Sequence, residues 1–185
     1  MICHTHKCIF IHIPKVAGTS IIDAFGYSWS DKNSHFLGDG YLASPSHWKE
    51  YEECYKDYKI FTVIRNPYDR FVSGWKYCKS TQNLDINHLL KHLPRSGHDN
   101  IHITKRQSEF IFKDDKPIYN YLLYFENLQN NFDQLCDRIG KERVKLKKLN
   151  QTPRKNYKNY FTPFAKKMFD KIYEEDLRRF SVYKF

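Results

Sequence analysis

With 185 residues, 41% of them apolar and 17% aromatic, the chain can build one globular domain with its own core, and no stretch resembles a flexible low-complexity tail. Its formal charge of +10 is unevenly placed. Residues 137–171 hold twelve Lys/Arg against three Asp/Glu, a field that draws a nucleotide, a nucleic acid or an acidic glycan.

Ile9, Phe10, Ile11 and Ile13 mark a buried strand over residues 7–13. Pro14 ends it, Gly18 permits a turn, and 19-TSIIDAF-25 starts a helix. Residues 26–46 read as irregular. A helix is expected from Ser46 or His47 to about Tyr55, then a second strand over 59–64. Asn66-Pro67 opens a helix from about Tyr68 to Cys78. The pattern 84-LDINHLLKHL-93 is helical and is broken by Pro94-Arg95-Ser96-Gly97. A third strand is expected over 120–125, ending in Glu126-Asn127, before an amphipathic helix over 128–140. The basic stretch 141–159 reads as a loop. A last helix is expected from about Pro163 to Phe180, its apolar stripe made by Phe164, Met168, Ile172, Tyr173 and Leu177.

Short strands separated by helices predict a three-layer α/β/α fold around a central parallel sheet, in a single domain over residues 1–185. Ligands of such folds sit at the carboxyl ends of the strands. No run is long and apolar enough to span a membrane, and MICHTHKCIF lacks the hydrophobic region of a signal peptide. Five cysteines without a tight framework read as reduced thiols, so a cytoplasmic location is expected. Cys3, His4, His6 and Cys8 read as a strand lead-in rather than a zinc site, and no metal is expected.

Two segments carry the chemistry: 8-CIFIHIPKVAGTSI-21 and 59-KIFTVIRNPYDRFVSGW-75. In the first, an apolar strand empties into a turn offering backbone N–H groups, the Lys15 charge and the hydroxyls of Thr19 and Ser20 to one anion. The lysine precedes the glycine, so this is not the G-x-x-x-x-G-K-[ST] loop of a kinase, and the hydroxyl that would follow that lysine to hold magnesium is missing. In the second, Arg65 stands at a strand end, where a guanidinium can grip phosphate bidentately, with Ser73 eight residues on.

PKVAGTS followed by VIRNPYDRFVS resembles the sulfotransferases that use 3′-phosphoadenosine 5′-phosphosulfate (PAPS). It is most similar to the branch holding the Golgi carbohydrate sulfotransferases and their small bacterial and viral relatives. The resemblance runs from about residue 8 to residue 180 and implies the P-loop-NTPase-like sulfotransferase fold. It implies that Lys15 contacts the bridging oxygen of the leaving group, that Gly18, Thr19 and Ser20 bind the 5′-phosphate, and that Arg65 and Ser73 bind the 3′-phosphate. Arg70 then supports the loop. Gln107 and 124-YFENL-128 resemble further family landmarks, and Glu126 either holds the scaffold or caps the next helix. The segment 149-LNQTPRKNYKNY-160 resembles the family's closing segment, with Thr152, Arg154 and Lys155 available to the nucleotide and Arg154 foremost. The competing reading is a solvated basic loop that steers an anionic acceptor.

An acceptor hydroxyl must lose a proton, and histidine suits that step near neutral pH. His47, ahead of the second strand as in the family, is the candidate base; the competing reading is a polar helix-start residue. His12 is its nearest rival and reads equally as structural. His88 and His92 lie four apart without the acid of a metal motif, and His98 and His102 fall in a polar region. The implied reaction transfers the sulfuryl group of PAPS to a hydroxyl, first of all a carbohydrate's, and leaves adenosine 3′,5′-bisphosphate (PAP). A lipid, small metabolite or peptide tyrosine is the other acceptor class. Two rival functions fit the sequence less well. A nucleotide or small-molecule kinase lacks its loop and its magnesium ligands. A basic nucleic-acid-binding module lacks any recognised motif, so no nucleic-acid partner is expected.

Overall fold

The computed structural model describes residues 1–28, 56–150 and 152–185. The helix expected up to Tyr55 and the candidate base His47 lie outside these residues. In chain order the elements are β1 (Ile2–Cys3), β2 (Cys8–Ile11), α1 (Gly18–Ala24), β3 (Lys59–Ile64), α2 (Pro67–Tyr77) and α3 (Ile86–Lys91). A short turn, Gly97–Asp99, runs into a π-helical turn, Asn100–Thr104, and a single helical turn covers Ser108–Ile111. Then come β4 (Phe112–Lys113), β5 (Lys116–Pro117), β6 (Tyr121–Tyr124), α4 (Leu128–Ile139), α5 (Pro163–Ile172) and α6 (Glu174–Arg179). No helix among the described residues is long and apolar enough to cross a membrane.

The chain forms two compact units, Met1–Ile64 with Glu109–Asn150, and Arg65–Ser108 with Gln151–Phe185. The first holds a four-stranded sheet in the order β1-β2-β3-β6. β2 pairs parallel with β3, and β3 parallel with β6, so that Phe10 lies opposite Phe61, which lies opposite Tyr121. All four residues of β2 are buried, as a central parallel strand requires. The sheet is mixed rather than wholly parallel, because β1 folds back antiparallel onto β2 with Cys3 opposite Cys8. Two residues are too few to announce a strand by periodicity; the ladder comes from their partner. Phe61 stacks on Phe10 at 5.1 Å and on Phe25 at 5.9 Å, and Phe25 meets Phe132 of α4 edge-on at 6.0 Å. In α4, Phe132, Leu135 and Cys136 are buried at the i, i+3, i+4 spacing of one helical face, and Gly140, at φ 66°, ends it in the left-handed cap that glycine favours. The β4–β5 hairpin turns on Asp114 and Asp115, both at positive φ.

The second unit is helical. Asn66 caps α2, its side-chain oxygen accepting from the N–H groups of Tyr68 (3.0 Å) and Asp69 (3.4 Å), and Pro67 occupies the first turn, where its missing N–H costs nothing. Tyr68 stacks on Phe169 of α5 at 4.5 Å, and Phe169 on Tyr173 at 4.3 Å. A Cβ on Gly74 would lie 2.1 Å from the carbonyl oxygen of His102, so α2 passes directly against the π-helical turn. The helix expected over 163–180 is two helices. Tyr173 leaves helical geometry at φ −105° and ψ 20°, its hydroxyl donates to the Ile103 carbonyl at 2.8 Å, and α6 restarts with Glu174, Glu175 and Asp176 in its first turn. Of the expected stripe, Tyr173 is buried and Met168, Ile172 and Leu177 pack against the core, whereas Phe164 is 56% exposed and Ala165 and Phe169 are buried in addition.

Candidate functional site

In the first unit the chain leaves β2 at Ile11 and passes His12, Ile13 and Pro14 into the turn that starts α1. Lys15 has φ 72° and Ala17 φ 67° with ψ 30°, while Val16 between them is not in the left-handed region. Alternation of this kind turns successive N–H groups towards one concavity, the arrangement that cradles anions. Holding two non-glycine residues there costs on the order of 1–3 kcal/mol each, a strain that marks functional turns. Gly18 is needed for space: a Cβ there would lie 2.0 Å from Cδ2 and Nε2 of His12, so the imidazole rests on the glycine backbone. Ser20 is buried in the first turn of α1. Thr19 Oγ1 accepts from Asn150 Nδ2 at 3.1 Å, and Lys147 pairs with Asp23 at 3.1 Å. Gln129 holds the same basic segment, accepting from Leu146 N–H (2.8 Å) and donating to the Val144 carbonyl (3.1 Å). Residues 144–150 are thereby tied to α4 through Gln129 and to α1 through Asp23 and Thr19, which nothing in their lack of periodicity announces.

In the second unit Arg65 Nε donates to Asp69 Oδ2 at 2.7 Å, and its Nη2 lies 2.5 Å from the same oxygen. Arg154 Nη2 lies 2.6 Å from the other oxygen, Oδ1. The three side chains are 10%, 13% and 18% exposed (Arg65, Arg154, Asp69), so water and salt screen the cluster little. Two guanidiniums on one carboxylate leave a net positive charge, suited to a phosphate dianion. Gln107, fully buried, grips the main chain of Arg65: Oε1 accepts from its N–H at 3.0 Å and Nε2 donates to its carbonyl at 2.8 Å. The Asp176 carboxylate in turn accepts from the N–H groups of Gln107 (2.8 Å) and Ser108 (2.9 Å). Burial pushes the Asp176 carboxyl above its usual range, against the pull of those N–H groups and of the Arg70 charge. Arg70 spans two carbonyls, Lys105 at 2.9 Å and Ile101 at 3.2 Å. Ser73 is buried on α2, and Thr152 is half-buried.

Lys15, Gly18, Thr19 and Ser20 therefore share one strained turn, and Arg65 and Arg154 share one carboxylate. Sequence reasoning missed Asp69, Asn150 and Asp176. Of these only Asp69 carried a local signal, its position four residues after Arg65 at a helix start.

No curated protein and no solved structure matches the chain. The family model described as the sulfotransferase family matches residues 1–184, spanning both the segment around Lys15 and the one around Arg65, and the chain belongs to that family.

Proposed function

We propose that the protein transfers the sulfuryl group of PAPS to an acceptor hydroxyl, a carbohydrate's in the first instance, and releases PAP. Family membership supplies sulfuryl transfer, and the family generally uses PAPS. The observation that most favours a donor carrying a 3′-phosphate is the pair Arg65 and Arg154 on Asp69, a shielded double-guanidinium cluster, with the buried Ser73 four residues after Asp69 on α2. In this reading Arg65, Ser73, Thr152 and Arg154 hold the 3′-phosphate end, and Gly18, Thr19 and Ser20 hold the 5′-phosphate. Lys15 and the N–H groups of its turn stabilise charge on the departing phosphate oxygen, where one such donor is worth about 10²–10³ in rate.

His47 takes the acceptor hydroxyl proton as that oxygen forms its bond to sulfur and the bond from sulfur to the phosphate oxygen breaks. The products are the sulfate ester, PAP and a protonated His47. One observation favours a second reading of the base: the His12 imidazole lies against Gly18, at the turn that carries Lys15. Calorimetric titration of the folded protein with PAP tests the donor reading. Saturable binding is expected, and its absence would refute it. An acceptor screen with labelled PAPS then tests the carbohydrate.

A further inference from the structure

A second convergence of reactive side chains lies at the carboxyl end of α2. Cys78 caps the helix with its N–H on the Gly74 carbonyl (3.0 Å), and its side chain is 2% exposed. Its thiol hydrogen-bonds to the Asp99 carboxylate. The same carboxylate is hydrogen-bonded to His98 Nδ1 at 3.1 Å and accepts from the Ser80 hydroxyl. The Cys78 sulfur, a His98 ring nitrogen and an Asp99 oxygen all lie within 4.8 Å of one another. Two segments remote in sequence, 78–80 and 98–99, thus bring a thiol, an imidazole and a carboxylate to one point.

The imidazole is also held in place. It stacks on His102 with centroids 4.0 Å apart, Tyr77 flanks both rings at 5.8 and 5.2 Å, and His102 Nδ1 is hydrogen-bonded to the His98 carbonyl at 2.8 Å. The π-helical turn Asn100–Thr104 follows directly, and its His102 carbonyl is the one packed on Gly74. Hydrogen bonding to Asp99 accounts for each contact taken singly, but a helix cap needs neither a buried thiol nor an imidazole. The set as a whole is the donor set of a borderline-soft divalent metal. Thiolate and imidazole select zinc or cobalt over magnesium or calcium. Bonds of roughly 2.0–2.3 Å to a tetrahedral ion put neighbouring ligand atoms about 3.3–3.8 Å apart, which side-chain rotation reaches from the separations present. The His98 side chain is 52% exposed, which gives an ion a path in and a fourth ligand from water.

We propose that Cys78, His98 and Asp99 bind a zinc-type divalent ion, with water as fourth ligand. Loading releases the thiol proton to solvent and turns hydrogen bonds centred on Asp99 into metal bonds. The ion ties the end of α2 to the 97–104 turn. It stands at the opposite end of the 11-residue helix from Arg65, about 16 Å of helix away, so it is structural and does not rest on the sulfuryl-transfer reading.

Cobalt(II) titration of the reduced full chain tests the proposal, followed by displacement with zinc. A thiolate-to-cobalt charge-transfer band is expected, removed by zinc and at least tenfold harder to saturate in Cys78→Ser and in His98→Ala. Zinc should also raise the melting temperature of the wild type but not of His98→Ala. No band, or a band unchanged in both variants and so belonging to other cysteines such as Cys3 and Cys8, overturns the proposal. If Cys78→Ser does not fold, His98→Ala, altered at an exposed side chain, decides alone.

Discussion

Arg65 and Arg154, far apart in sequence, are held by the two oxygens of a single carboxylate, with Arg65 on Oδ2 of Asp69 and Arg154 on Oδ1. If they receive the 3′-phosphate, Asp69 sets their geometry before the nucleotide arrives. Asp69→Ala should weaken PAP binding about tenfold although it removes a negative charge, and Arg65→Ala should weaken it about 10- to 100-fold, the worth of charge-assisted hydrogen bonds of ~1.5–3 kcal/mol. Arg65→Lys should recover little, because an ammonium lacks the planar fork. Titration calorimetry reads all three; tighter binding by Asp69→Ala would make the carboxylate a competitor rather than a positioner.

Transfer and binding should separate at the proposed reacting groups. Lys15→Ala is expected to lower kcat about 10²–10³-fold. His47→Ala should abolish transfer while PAP binding stays within a few-fold of wild type. If His12→Ala, and not His47→Ala, shows that pattern in single-turnover assays, the base is His12.

Two glycines are held by contacts of different stiffness. Gly18→Ala drives a Cβ into the His12 ring and should cost about 1–3 kcal/mol, part of it returned by adding His12→Ala. Gly74→Ala meets a backbone carbonyl, that of His102, and should cost more, with no side-chain change able to relieve it. Urea denaturation of Gly18→Ala, Gly18→Ala with His12→Ala, and Gly74→Ala checks the order.

The Glu175 carboxylate accepts from Arg178 Nη2 at 2.7 Å and also pairs with Arg179. These bonds, Arg178's foremost, hold its pKa down at about 2 against the usual 4.5. A depressed carboxyl stabilises fully above pH 4.5, and that contribution is lost as pH falls through about 2. Stability measured over this window should therefore decline less steeply in Glu175→Gln than in the wild type. Equal slopes would remove Glu175 from the acid response.

The elements that local pattern specifies were legible. The apolar run 59–64 is β3 to the residue, and the amphipathic period over 128–140 is α4 up to its Gly140 cap. What stayed hidden depends on partners remote in sequence. Nothing in 163-PFAKKMFDKIYEEDLRRF-180 tells that Tyr173 finds the Ile103 carbonyl, or that Asp176, the third of three consecutive acids, is buried beneath Gln107 and Ser108. The same holds for the candidate site. Composition and motif named Arg65 and Arg154, but that Asp69 joins them, and that Asn150 reaches Thr19, is decided by how loops return, which no short window of sequence contains.

The amide of Gln107 closes on both polar groups of the Arg65 peptide, as a neighbouring strand would, and Asp176 holds Gln107 from behind. The backbone entropy of this strand end is therefore spent when the chain folds, and an arriving ligand has only a side chain to order. A loosened clamp would return that ordering cost to the binding step. Gln107→Ala and Asp176→Ala, neither of which removes a charge from the anion's own partners, would then lower affinity chiefly through a less favourable binding entropy.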